Sequence, residues 1–382
     1  MSNPAVTAAK ARPISRSLDS LSAGRLDGRL AHITPREPMS HSAEIDPVTE
    51  LDSPIALVRK LAKYRSPVPA RSRKELAITI IPFAAIFSLS WASLSISLWV
   101  SVALSLANAA FVLRLFMIQH DCGHGAFFGA RHWNDWTGRL IGLLTLTPYE
   151  VWRRTHAIHH ATTGNLARRG TGDIPTLTVA EYRAKPLHGR VLYRFVRHPI
   201  MLFGIIPFYS FFLRNRIPAG LVRSGWRYWA SALGTDAAIL AMLAMLYMLG
   251  GVPVLLFVYL PMMLLAASIG MWLFFVQHQF EDTAWYSEAD WSVQEAAFHG
   301  SSHYVLPPVL KWFTANIGVH HVHHLASRIP FYRLPEVLSD YPELASARCI
   351  TLRDSIGCAR LALWDETGRR LVSFAEARHL PG

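Results

Sequence analysis

The chain has 382 residues, of which 51% are hydrophobic and only 17% charged, against about 25% charged in an ordinary soluble domain. That balance excludes a disordered, collagenous or highly charged polar protein. The formal net charge is +12, and the basic residues alternate with long apolar runs instead of lining one soluble face, which points to a membrane surface and away from nucleic acid. Three cysteines, Cys122, Cys349 and Cys358, are too few for a disulfide framework and suit a reducing compartment.

In chain order, residues 1–53 are rich in Ser, Ala, Pro and mixed charge, with neither an apolar period nor the apolar core of a secretory signal. A flexible cytosolic arm is predicted there. Ile55, Leu57, Val58, Leu61 and Tyr64 then alternate with Arg59, Lys60, Lys63 and Arg65, as in a helix lying on an anionic bilayer or, equally, an ordinary packing helix. Residues 76–118 carry one charge, Arg114, over about twice the ~20 residues that one span needs, so spans are predicted at 76–95 and 97–118. Residues 229–275 carry only Asp236, and Gly250, Gly251 and Pro253 punctuate the middle. Spans are predicted at 229–249 and 253–275.

Arg71, Arg73, Lys74, Arg131, Arg139, Arg153 and Arg154 surround the first pair of spans, and Arg214, Arg216, Arg223 and Arg227 precede the second. The positive-inside rule then puts both termini and the middle of the chain in the cytoplasm, with Arg114 near the inner end of its span and able to snorkel. The shorter apolar stretches at 140–149 and 199–213 are expected to lie in the inner interface. The predicted architecture is an all-α integral membrane protein: four transmembrane helices as two hairpins, under a cytoplasmic helical cap, in a domain at 54–344 followed by a cytosolic tail at 345–382.

The 18 histidines fall into clusters. His120-Asp121-Cys122-Gly123-His124 begins just after the first apolar region, His156-Ala157-Ile158-His159-His160 follows, and His320-His321-Val322-His323-His324 comes after the second. Helical positions i and i+4 share a face about 6 Å apart, and i, i+3, i+4 puts three imidazoles on one stripe. One such pattern is usually a solvated pair; three beside apolar stretches on one side of a membrane converge. Eight imidazoles exceed one coordination sphere, so a two-metal centre is inferred, with Zn, Cu, Fe and Ni all compatible and Mg or Ca disfavoured. In the third cluster, 320, 323 and 324 share a face while His321 is rotated about 100° away. Cys122 points away from its flanking histidines and is read as a packing residue.

These motifs resemble the membrane fatty acid desaturase family. HDCGH, HAIHH and HVHH stand in the order of that family's three histidine boxes, and the nearest likeness is to bacterial acyl-lipid desaturases of the omega-6 or delta-12 type, through HDCGHGAFF at 120–128, FVQHQFEDTAW at 275–285 and HHLASRIPFYRLPEV at 323–337. The likeness covers about residues 76–344, and His321 is a departure inside the third box. It implies a di-iron centre that uses O2 and two external electrons to convert adjacent methylenes of a membrane-lipid acyl chain into a double bond. It carries over His120, His124, His156, His159, His160, His320, His323 and His324 as iron ligands. An additional histidine ends the fourth span in such enzymes, and His278 stands at the matching place, emerging at nearly the depth of His120. Gln277 and Gln279 could bond a distal imidazole nitrogen or a metal-bound water.

Asp121, Asp173, Glu281 and Asp282 are candidate partners for the outer ring nitrogens, or simply solvated acids. His299 and His303 are candidates for supporting groups or for headgroup contact, and Trp272, Phe274 and Phe275 for an interface belt or tunnel wall. No fused haem or iron–sulfur module is legible, so a separate acidic carrier such as ferredoxin is expected to supply electrons. The expected location is a bacterial cytoplasmic membrane, with the metal site on the cytoplasmic side. Two other readings stand beside this one: a di-iron carotenoid or alkane hydroxylase or ketolase, and a membrane metal transporter or sensor. The transporter should carry ionisable residues along its spans, and only Arg114 and Asp236 are there.

Overall fold

The computed structural model describes residues 54–381, so the arm expected at 1–53 lies outside the described residues. The described residues are mostly helical, and among them three stretches are long and apolar enough to cross a membrane: Pro69–Ser95, Leu98–His124 and Trp226–His278. A fourth, Leu187–Val196 with Met201–Arg216, is bent by 57°. The first contains helix α2 (Pro69–Ala92) and the second is helix α3 (Leu98–His124), whose start is capped by the Ser97 hydroxyl accepting from the Val100 N–H. The third runs through α7 (Trp226–Pro253) and α8 (Leu260–His278), but Gly251 interrupts it at φ 67°, ψ −167°. Only glycine takes that conformation without strain, so the break falls where Gly250, Gly251 and Pro253 punctuate the sequence.

The outward faces of these helices are apolar: Ile81, Leu89, Trp99, Leu240 and Met248 are all exposed. Such a surface fits hydrocarbon and not water. Inward, small polar groups tie the helices together. Ser90 Oγ donates to the Ser101 carbonyl at 2.8 Å, Asn108 Nδ2 to the Phe83 carbonyl at 3.2 Å, and Ser105 Oγ to the Val258 carbonyl at 2.6 Å. Each bond satisfies in lipid a group that would otherwise be unpaired.

Arg114 does not snorkel. It is 2% exposed, its Nη2 donates to Glu75 Oε2 at 2.6 Å and its Nε to Thr79 Oγ1 at 3.1 Å, it also donates to the Trp312 carbonyl, and its guanidinium lies 3.9 Å from the centre of the Trp312 ring. The charge is met inside because Glu75 sits just before the first apolar run and the helix carrying Trp312 closes over the pair.

At the ends of α3 and α8 the apolar interior continues into a cap. Its core includes Leu115, Ile118, Phe127, Phe275, Val322, Phe331 and Leu334. Helix α1 (Pro54–Lys60) and the turn after it belong to this core through Leu57, Leu61 and Tyr64, so the packing alternative for that segment holds. Helix α4 (Arg131–Leu144) shows Trp133, Trp136 and Leu140 outward and buries Ile141, and a tight turn through Leu146 (φ 55°) leads to α5 (Tyr149–Thr162). Helices α6 (Leu187–Val196), α9 (Val293–His299), α10 (Pro308–Phe313) and α11 (His320–Leu325) complete the part of the cap that matters to the site.

The all-α expectation needs correction, because five short strands are present. Strand β2 (His303–Val305) pairs in parallel with β3 (Cys349–Thr351), and β1 (Leu177–Thr178) pairs with β4 (Leu361–Asp365), which forms a hairpin with β5 (Arg370–Ser373). The region after 344 is therefore woven into the body by backbone hydrogen bonds and is not a detached tail. Its apolar residues Leu363, Trp364, Leu371 and Val372 are buried by that pairing.

Candidate metal centre

Four chain segments bring nine imidazoles together. His120 and His124 lie on the last turns of α3, which Gly125 ends in a left-handed conformation (φ 66°). His156, His159 and His160 come from α5, His278 from the last residue of α8, and His320, His323 and His324 from α11. The ring nitrogens sort into two groups, each with all its atoms within 4.8 Å of one another: His120, His124, His156, His160 and His323, and His159, His278, His320 and His324. The stacked rings of His160 and His324, 4.0 Å apart, join the two groups.

In the first group His156 Nε2 lies 3.0 Å from His124 Nε2 and 3.1 Å from His160 Nε2, which is 3.2 Å from His323 Nε2. In the second, His278 Nε2 lies 3.2 Å from His159 Nε2 and 2.9 Å from His320 Nε2, which is 3.1 Å from His324 Nε2. Metal–nitrogen bonds of about 2.1 Å at right angles put donor atoms about 3.0 Å apart.

The outer nitrogens decide what these contacts are. His159 Nδ1 faces Asp173 Oδ1 at 2.7 Å, and His278 Nδ1 faces the Gly300 carbonyl at 3.1 Å; both oxygens can only accept, so each imidazole carries its proton on Nδ1. The Nε2 atoms of His159 and His278 then face each other at 3.2 Å, a separation that suits two donors on one metal ion. Burial, and then the neighbouring imidazoles, holds His156, His160, His320, His323 and His324 well below the ordinary histidine range, so their rings are neutral at neutral pH and able to offer a lone pair to a metal. The donor set therefore fits two transition-metal ions.

The other sequence candidates separate cleanly. Asp173 supports His159 directly, and Asp121 holds the site's edge, with Oδ1 3.3 Å from His120 Nδ1 and Oδ2 accepting the Phe331 N–H at 2.7 Å. Glu281 pairs with Arg370, and Asp282 offers only its carbonyl, to Arg348, so neither carboxylate faces a ligand. Gln277 donates to the Ile317 carbonyl and Gln279 accepts from Arg197, because both amides are turned into the cap and away from the imidazoles. His321 is fully buried outside both groups, its Nε2 2.9 Å from the Leu344 carbonyl. His303 faces the Ala345 carbonyl at 2.8 Å and His299 lies beside Arg348 and Glu295, so both stand apart from the imidazole groups. Cys122 packs in the cap core. Phe274 packs edge-on against His159 and His278, a wall of the site and not a lipid-facing belt.

Sequence reasoning missed two supports. The Gly300 carbonyl is a backbone acceptor with no residue-type signature. Trp152, stacked on His156 at 4.7 Å, stands one turn before the second box, and that spacing could have revealed it.

The model of the family described as "Fatty acid desaturase" matches residues 97–354. A protein of Bacillus subtilis (strain 168) named "Fatty acid desaturase" is 40% identical over 325 residues, 85% of this chain and 92% of that protein. The chain belongs to the fatty acid desaturase family. It is thereby a membrane oxidoreductase, and the transporter reading is set aside. It is also similar to two proteins of Synechocystis sp.: an "sn-1 oleoyl-lipid 12-desaturase", 28% identical over 68% of this chain and 71% of that one, and an "sn-1 acyl-lipid omega-3 desaturase (ferredoxin)", 29% identical over 58% and 61%.

Proposed function

We propose that this desaturase introduces a double bond into the acyl chain of a membrane glycerolipid at a centre of two iron ions, one held by His120, His124, His156, His160 and His323 and the other by His159, His278, His320 and His324. The observation that carries the proposal is the convergence of the ring nitrogens into two groups, each within 4.8 Å, with the Nε2 atoms of His159 and His278 facing each other at 3.2 Å. The substrate methylenes have no acidic proton, so acid–base residues alone could not remove their hydrogens. When bound, the ions would supply the oxidising power, with O2 as co-substrate: two hydrogens leave the chain, two electrons and two protons enter, and two waters form. The polypeptide's part is to orient the rings. Asp173 and the Gly300 carbonyl fix the tautomers of His159 and His278, Trp152 and Phe274 hold ring planes, and the packed apolar core around Ile118, Phe275 and Val322 excludes water.

The delta-12 position is our reading of the substrate carbon, supported by the motif likeness and by the name of the Synechocystis relative. An acidic carrier such as ferredoxin suits the net positive charge as electron donor. We place the four spans as two hairpins in a bacterial cytoplasmic membrane, with both termini and the metal site cytoplasmic and the membrane domain at 54–344. The test is expression in a host that lacks polyunsaturated lipids, followed by chromatography and double-bond localisation. A new dienoic acid is expected; hydroxylated products would favour the hydroxylase reading instead.

A further inference from the structure

Outside the histidine groups, a cluster of charge sits where α4, α5 and α7 meet. Arg139 of α4 donates to Glu150 Oε1 at 2.9 Å, while Arg153 of α5 and Arg227 of α7 donate to Glu150 Oε2 at 2.9 and 3.0 Å. Arg153 also donates to Asp135 Oδ1 at 2.7 Å, and Arg131 lies 3.5 Å from Asp135. Four guanidinium groups against two carboxylates leave two positive charges unmatched. The hub is sunk and the rim is open: the Glu150 side chain is 11% exposed and Arg153 20%, whereas Arg139 is 43% and Arg227 54%. Glu150 thus gathers three guanidinium groups without neutralising them, and those of Arg139 and Arg227 stay exposed at the rim.

What adjoins this rim is apolar. Trp133, Trp136 and Leu140 follow one another at i, i+3 and i+7 on the exposed side of α4, and Trp226 is exposed beside Arg227. The Arg139 guanidinium lies 5.1 Å from the Trp136 ring centre. Below, Leu143 packs against a cluster that also contains Val112 of α3 and Ile239 of α7, so the far end of α4 joins the apolar packing of the long helices. A cationic rim on an aromatic and aliphatic stripe, at the level where a span begins, matches a molecule with an anionic head and an apolar tail. An acidic soluble protein would leave that stripe without a complement.

We propose that Arg139, Arg153 and Arg227, held by Glu150, bind the phosphate of an anionic glycerolipid headgroup, with an acyl tail lying along Trp136 and Leu140. Guanidinium forks suit phosphate oxygens, and since Arg139 and Arg227 are open to solvent the contact should weaken as salt rises. The inference rests on the membrane-spanning reading of α7 and not on the metal chemistry.

The experiment uses the full-length, metal-loaded protein in mixed micelles and counts retained lipid by native mass spectrometry, with phosphatidylglycerol and phosphatidylcholine compared. The wild type should retain phosphatidylglycerol preferentially, and Arg139→Gln with Arg227→Gln should weaken retention about tenfold or more, because two charge-assisted bonds are lost. Metal content should be unchanged in that variant. Glu150→Gln should strengthen retention by removing the competing carboxylate, an effect opposite in sign to structural damage. Equal retention of the two lipids would overturn the proposal, as would equal losses in the arginine and Glu150→Gln variants. Displacement by millimolar inorganic phosphate, with no effect of Trp136→Ala, would show a simple anion site and also overturn it. So would arginine variants that keep the lipid and lose only binding of an acidic carrier protein.

Discussion

Replacing His278 by alanine removes one of four nitrogens from the second imidazole group while leaving the five of the first in place. A four-ligand transition-metal site is worth about 10–16 kcal/mol at neutral pH, or about 3 kcal/mol per ligand, so the second ion should bind about a hundredfold more weakly. The variant also leaves the Gly300 carbonyl without its partner at 3.1 Å, a folding cost of about 1–3 kcal/mol. That cost is tolerable for a cap anchored by four segments, so the protein should still insert and elute as the wild type does. Iron per purified chain should fall from two toward one, and the double-bond product should disappear. A His278→Ala protein with two irons per chain and normal product would falsify the assignment of His278 and, with it, the division of the nine rings into five and four.

Asp173→Ala should lower metal affinity about 10- to 100-fold while all nine ligands remain, read by competition with a chelator, because His159 loses the acceptor that fixes its tautomer; unchanged affinity would mean the contact is incidental. His320→Ala should cost metal and His321→Ala should not, the latter instead lowering the unfolding temperature through the lost bond to the Leu344 carbonyl. His321 also carries a pH signature: burial, and then His303, lowers its pKa from 6.5 to about 3, so the unfolded state takes up the proton first and stability is lost as pH falls from about 6.5 toward 3. His321→Asn should flatten that slope, and an unchanged slope would refute the account. Glu75→Ala strands the buried Arg114 charge and should cost about 3–5 kcal/mol, measured by thermal unfolding in detergent; a neutral result would show that water reaches Arg114.

The histidine pattern was legible because ligands on one helix keep a spacing that sequence preserves: 120 and 124, or 156, 159 and 160, are neighbours before any tertiary structure exists. His278 has no such local companion, and depth below an apolar run was its only mark. Long-range partners were not legible. Asp173 could be named as a candidate, yet Glu281 and Asp282 looked equally good, since nothing local says that Glu281 would meet Arg370. Arg114 was misjudged for the same reason, its counter-charge lying on another helix. The strands after 344 escaped notice because each is short, and because β3 finds its partner far away, where Cys349 aligns with His303.

Those strands bear on how the protein is made. His321 and His303 rest on the carbonyls of Leu344 and Ala345, the β2 backbone pairs with β3, and the Leu371 N–H reaches the Glu281 carbonyl just past α8. The helices that cross the membrane leave the ribosome first and can insert one by one, but the third histidine box, already tied to the Ser302 carbonyl, lacks the carbonyls beneath His321 and His303 and the β3 strand until residues 344–351 emerge. The imidazole-bearing face is thus completed last, after the membrane-crossing helices have been made. A metal ion offered early in synthesis would meet only parts of the proposed ligand set, and shortening the chain there should leave an inserted protein with lowered metal retention.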